Sequence, residues 1–105
     1  MDFSSKTTKM ASLVDYQQNA VVSREIIKRD SGTVTVFAFD GGEGLSEHTA
    51  PFDALVYMVD GRAEIRIAAD TFTLESGDMI VLPAGKPHAL NALTRFKMLL
   101  IMIKS

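Results

Sequence analysis

The chain is predicted to be all-β, an antiparallel barrel or jelly roll with little or no helix. Three observations carry that prediction. Apolar and β-branched runs of about four to nine residues recur along the sequence, and clusters of glycine, aspartate, serine and proline separate them. No stretch repeats its apolar residues at the three-to-four spacing of a long helix.

Each run can be justified in turn. Residues 21–28 (VVSREIIK) are rich in β-branched side chains and stop at Asp30, Ser31 and Gly32. Residues 33–39 (TVTVFAF) pass from β-branched to aromatic and end at the turn-forming DGGEG of 40–44. Residues 54–59 (ALVYMV) run into Asp60-Gly61, a hairpin signal in which glycine supplies positive φ. Residues 63–67 (AEIRI) alternate apolar with charged side chains, which is the period of a half-buried strand; Arg62, Glu64 and Arg66 then form its solvated face. Residues 71–74 (TFTL) alternate again before Ser76-Gly77, and residues 79–82 (MIVL) are apolar throughout until Pro83 and Gly85 end them. Residues 88–93 and 96–104 complete the set. Eight short strands in one small chain must close on themselves or stack as two sheets, because open edges invite aggregation.

A chain of 105 residues is one domain, able to bury about 65% of the surface it exposes when unfolded. The first dozen residues are polar without periodicity, so we expect a flexible tail at residues 1–12 and a single domain over 13–105. The composition is 47% hydrophobic, with 11 basic against 13 acidic residues. That balance excludes both a disordered chain and a nucleic-acid binder. There is no cysteine, which rules out disulfides, thiolate metal sites and cysteine nucleophiles. The N-terminal MDFSSKTTKMASLVDYQQ has no apolar run of signal-peptide length, and MLLIMI at 98–103 is too short to span a bilayer. The expectation is a cytoplasmic protein with neither a membrane nor a nucleic acid as partner. DGGEG is not a phosphate loop, since no helix pattern and no Lys-Ser/Thr pair follow it. A serine hydrolase is excluded by the lack of any G-x-S-x-G stretch.

One stretch is more specific. GDMIVLPAGKPH carries glycine, five residues, proline, one, glycine, two and histidine, at Gly77, Pro83, Gly85 and His88. In this spacing the chain resembles a small single-domain cupin of the cupin 2 conserved-barrel type, over roughly residues 35–103. The other cupin motif is incomplete. Counted back from Gly61, its glutamate position holds Ala54, and its histidine pair is represented by His48 and then Ala50. The resemblance therefore implies His48 and His88 as metal ligands and no others, holding zinc, nickel, iron or manganese weakly if a divalent metal is bound. Asp53 either reaches inward as a third ligand or sits on the rim as an ordinary turn residue, whereas Glu47 points away from His48 if both are extended.

The alanines open space where bulky ligands stand in the family's motif. Strand alternation places Val56 and Met58 on the same face as Ala54, and Phe37 or Phe39, Met79, Leu90, Phe96, Met98 and Met102 are further candidates for an apolar wall around Ala50. Two function classes follow. One is a small-molecule-binding cupin whose two histidines orient the ligand by hydrogen bonds. The other is a metal-dependent enzyme, oxygenase or isomerase-like, whose metal acts as a Lewis acid on a substrate oxygen.

Assembly is the last expectation. With a mean hydropathy of +0.13, a barrel this small has more apolar side chains than its interior absorbs. We expect a symmetric homodimer in which the strand around AVVSREIIKR, with Val22, Ile26 and Ile27, extends the partner's sheet; if that strand folds back on its own barrel, the chain is a monomer.

Overall fold

The computed structural model describes residues 3–104 and builds them into nine strands and one turn of 3-10 helix, Met10–Ser12. The strands are β1 (Val21–Arg29), β2 (Gly32–Phe39), β3 (Gly44–His48), β4 (Ala54–Asp60), β5 (Arg62–Ile67), β6 (Asp70–Glu75), β7 (Met79–Leu82), β8 (His88–Ala92) and β9 (Phe96–Ile103). Every pairing is antiparallel, and the strands form two sheets of order β1-β2-β9-β4-β7 and β3-β8-β5-β6. This is the all-β jelly roll that the turn spacing predicts.

The inner faces meet in one core. At one end of it Phe39 of β2 faces Phe96 of β9, the rings stacked with centroids 4.4 Å apart, among the fully buried Met58, Ala63 and Ile65. Gly61 is what lets the β4–β5 hairpin close against this end. It sits at φ +80°, and a Cβ there would lie 2.0 Å from the carbonyl oxygen of Arg95. Outward-facing charges pair across the smaller sheet, Arg62 with Glu75 at 3.3 Å and Arg66 with Glu47 at 2.6 Å, so the alternating charges of β5 form an exposed face.

Two features depart from the strand pattern read in the sequence. β3 is a ninth strand, because GLSEH offers only Leu45 as an apolar side chain and is exposed along most of its length. The N-terminal segment also has partners. Of the expected tail at residues 1–12, the first two lie outside the described residues, as does residue 105 of the domain. Met10 packs with Leu13, Val14 and Tyr16 on the outer face of the larger sheet, over Val36, Ala38 and Leu99. Tyr16 fastens that segment by donating its hydroxyl hydrogen to Asp60 Oδ2 at 2.6 Å. Burial and the Asp60 carboxylate together push the Tyr16 phenol pKa far above its ordinary value. Among the described residues no helix is long and apolar enough to cross a membrane.

Candidate functional site

The opposite end of the core from the phenylalanine stack is not filled. β8 begins there because the Pro83–Gly85 reversal turns the chain: Gly85 takes φ +80° and donates its N–H to the Ala50 carbonyl at 2.8 Å, while the Lys86 N–H reaches the Pro83 carbonyl at 3.3 Å. This reversal delivers His88 to the first position of β8, directly opposite His48 at the last position of β3. An irregular register between Leu45 and His48 brings the two side chains to the same side. His88 is buried and His48 is exposed, so the pair spans from the core to the rim.

The imidazoles meet edge to face, with ring centroids 4.3 Å apart and their Nε2 atoms 3.1 Å apart. Their other nitrogens lie against backbone carbonyls, His48 Nδ1 at 3.0 Å from Ser46 O and His88 Nδ1 at 3.3 Å from Lys86 O. A carbonyl oxygen only accepts, so each Nδ1 must carry a hydrogen for its contact to be favourable. Two neutral imidazoles hold two hydrogens between them, and both are then used on Nδ1. The facing Nε2 atoms are left with a lone pair each and no hydrogen to share. A third proton would satisfy all three contacts, but burial first, and the neighbouring His48 second, hold His88's pKa below its ordinary value, against a smaller opposing pull from the Lys86 carbonyl. With both hydrogens on Nδ1, the pair presents two convergent acceptors that call for a donor hydrogen or a cation.

Beneath the pair lies a cavity of about 60 Å³ open to a water-sized molecule, room for about four of them. Ala50, Ala54, Val56, Leu90, Met98 and Met102, singled out in the sequence, all line it together with His48 and His88. Leu45, Leu82 and Leu100 complete the wall and were not singled out. Leu82 and Leu100 stand opposite Ala54 and Val56 across β4, so strand register was the missing signal; Leu45 belongs to the strand that the pattern did not reveal. Met58 is corrected. It shares a face with Ala54 and Val56, but it is fully buried in the core with Phe39 and Phe96, and none of these three lines the cavity; nor do Phe37, packed against that core, and Met79, which is 57% exposed.

Asp53 also lies apart. Its Oδ1 accepts a hydrogen bond from the Ala84 N–H at 2.8 Å, which ties the entry of β4 to the Pro83–Gly85 reversal. It is not brought to the histidines, and among the described residues no group of three or more His, Cys, Asp or Glu side chains gathers to hold a metal ion. Glu47 is on the opposite side from His48, paired with Arg66 at 2.6 Å. As a metal site the donor set is thus two imidazoles. Their 3.1 Å spacing falls in the range for two ligands of one ion, since nitrogens about 2.1 Å from it are about 3.0 Å apart at a right angle and about 3.4 Å at the tetrahedral angle. Their number is short of the three protein ligands of a catalytic zinc centre.

The family model for the Cupin domain matches residues 35–104. A conserved protein of unknown function from Streptococcus pyogenes is 38% identical, with 96% of this chain and 89% of that one covered and a TM-score of 0.92. A cupin superfamily protein from Desulfitobacterium hafniense is 31% identical, covering 96% of this chain and 93% of its own, with a TM-score of 0.91. A salicylate 1,2-dioxygenase from Pseudaminobacter salicylatoxidans shares the fold at 17% identity and a TM-score of 0.74, over 79% of this chain and 26% of its own. No curated protein sequence matches the chain. The barrel, the reversal that carries His88 and the match over residues 35–104 lead to one assignment: the chain belongs to the cupin family.

Proposed function

We propose that this cupin binds a small, largely apolar molecule in the cavity and takes the ligand's single polar group on the His48–His88 pair. The observation that supports it is the convergence of two Nε2 acceptors, 3.1 Å apart, at the mouth of a cavity whose other walls are aliphatic, methionine and alanine side chains. Burial of the apolar part supplies affinity, about 25 cal/mol per Å² removed from water, and the imidazoles orient it. A ligand that brings an O–H or N–H to the pair provides the hydrogen that the two facing nitrogens lack.

Ethanol and fluoroethane separate the two contributions, because both suit a cavity of this size and they differ in one donor hydroxyl. Ethanol is expected to bind more tightly by NMR titration and to shift the His48 and His88 ring nitrogens. In His88→Ala the two compounds should bind alike. Equal binding to the unaltered protein would end this reading.

A second reading has the same distance in its favour: His48 and His88 would hold a divalent metal through Nε2, and the Nδ1–carbonyl contacts would orient both rings for it. Such a metal, when bound, supplies Lewis acidity toward a substrate oxygen. His48 and His88 would hold it, Ala50 and Ala54 leave space beside it, and the apolar wall excludes water from the ligand. Elemental analysis of protein purified without added metal, followed by zinc titration, tests this. One-to-one binding should be lost in His48→Ala and in His88→Ala and kept in Asp53→Ala. Zinc binding unchanged in both histidine variants would place the site elsewhere.

A further inference from the structure

The wall of the cavity beneath the histidine pair carries a further kind of donor. Apart from the two imidazoles its lining side chains are aliphatic, except for Met98 and Met102 on the inner face of β9, whose thioether sulfurs hold lone pairs. These two lie four residues apart on one strand, about 13 Å, so they serve different levels of the cavity.

Strand register gives the level of each. Met98 stands opposite Met58, which is buried with the Phe39–Phe96 stack. Met102 stands opposite Ala54, and its neighbour Ile103 donates its N–H to the Asp53 carbonyl at 3.1 Å. The Asp53 side chain in turn accepts from the Ala84 N–H, in the reversal that delivers His88. Met102 is therefore at the histidine end of the cavity. Cross-strand Cβ atoms are about 5 Å apart, and Ala54 has nothing beyond its Cβ to fill the space beside Met102. Methionine, unbranched and with three rotatable bonds, can turn its sulfur into that space.

We infer that Met102 supplies a third ligand to a metal on the His48–His88 pair, and that this donor set selects monovalent copper. The inference rests on the metal reading of the pair; it adds a donor and changes the ion. Softness favours Cu(I), because a thioether beside imidazoles suits that ion, whereas zinc is held by imidazole, thiolate or carboxylate. Charge favours it as well. No carboxylate lines the cavity among the described residues and the chain has no cysteine, so nothing anionic offsets a dication there, and the cost of burying an ion rises with the square of its charge. The spacing leaves room for the sulfur. Two imidazole nitrogens on opposite sides of one ion are about 4 Å apart. At 3.1 Å the pair is bent, and one side of the ion is left for another ligand.

Cu(I), supplied without oxygen as its acetonitrile complex in competition with bicinchoninate, is compared with zinc chloride. The unaltered protein should bind one Cu(I) at least about 100-fold more tightly than zinc. Met102→Leu conserves volume and apolarity, and should lower Cu(I) affinity at least about 10-fold while zinc affinity moves less than about 3-fold. Met79→Leu, at an exposed side chain outside the cavity, should change neither. Since the chain has no cysteine, a sulfur neighbour in the copper X-ray absorption spectrum comes from methionine alone; it should be present in the unaltered protein and absent in Met102→Leu. Cu(I) affinity and the sulfur neighbour both kept in Met102→Leu, or lost in Met98→Leu instead, overturn the inference; loss of zinc in His88→Ala would then still leave the pair as the metal's holder. Both ions retained in His88→Ala, or neither bound by the unaltered protein, overturn the inference and the metal reading together.

Discussion

Ala50 and Ala54 decide what His48 and His88 are able to hold. Both line the cavity, and both stand where the cupin motif that this chain resembles carries a histidine and a glutamate. Ala50→His together with Ala54→Glu should therefore create a four-ligand site and raise zinc affinity at least about 100-fold by isothermal titration. An unchanged affinity would mean that these two positions do not converge on the histidine pair. The histidines also set a pH response. Burial holds the His88 pKa below its ordinary value near 6.5. The unfolded chain consequently binds more protons than the folded one as pH falls through about 6.5, and stability is full above that point and lost below it. Thermal unfolding of metal-free protein should show Tm falling between about pH 7 and pH 5.5, with a smaller fall in His88→Gln. A Tm that rises on acidification contradicts the assignment of His88 as a buried neutral imidazole.

Strands and turns were legible in proportion to how much apolar side chain each one buries. β5 alternates Ala63, Ile65 and Ile67 inward with charges outward, so period alone places it, whereas β9 is apolar on both faces and is legible as a continuous apolar run, not by alternation. β3 buries little beyond Leu45 and is specified by its pairing with β8, a long-range contact that no local pattern reports. The site divides the same way. The two histidines and six of the lining residues follow from motif and parity, whereas Met58 was misplaced because parity gives the face of a strand and not the depth along it. The turns make a sharper prediction. Gly61→Ala forces a side chain into positive φ and against the Arg95 carbonyl, and should cost at least about 2 kcal/mol in denaturant unfolding. A loss below about 0.5 kcal/mol would show that the hairpin shifts freely.

Across the whole molecule, the two ends of the core differ in kind. One is closed by stacked Phe39 and Phe96, and the other is an unfilled cavity beside a mostly exposed β3. Local opening follows buried contact, so native-state hydrogen exchange should be slowest at the amides of Phe96 to Met98 and fastest through Leu45 to His48. The reverse order, with β3 protected most, would mean that the mouth and not the stack holds the barrel together. With the stack end the most protected, folding and ligand choice are written in largely separate sets of residues. Leu45, Ala50, Leu100 and Met102 line the cavity outside the fully buried core, and they become positions where natural variation, or a randomised library, redraws what the protein recognises while the aromatic foundation that makes it fold is kept, so that the same scaffold passes through many specificities by drift at one end alone.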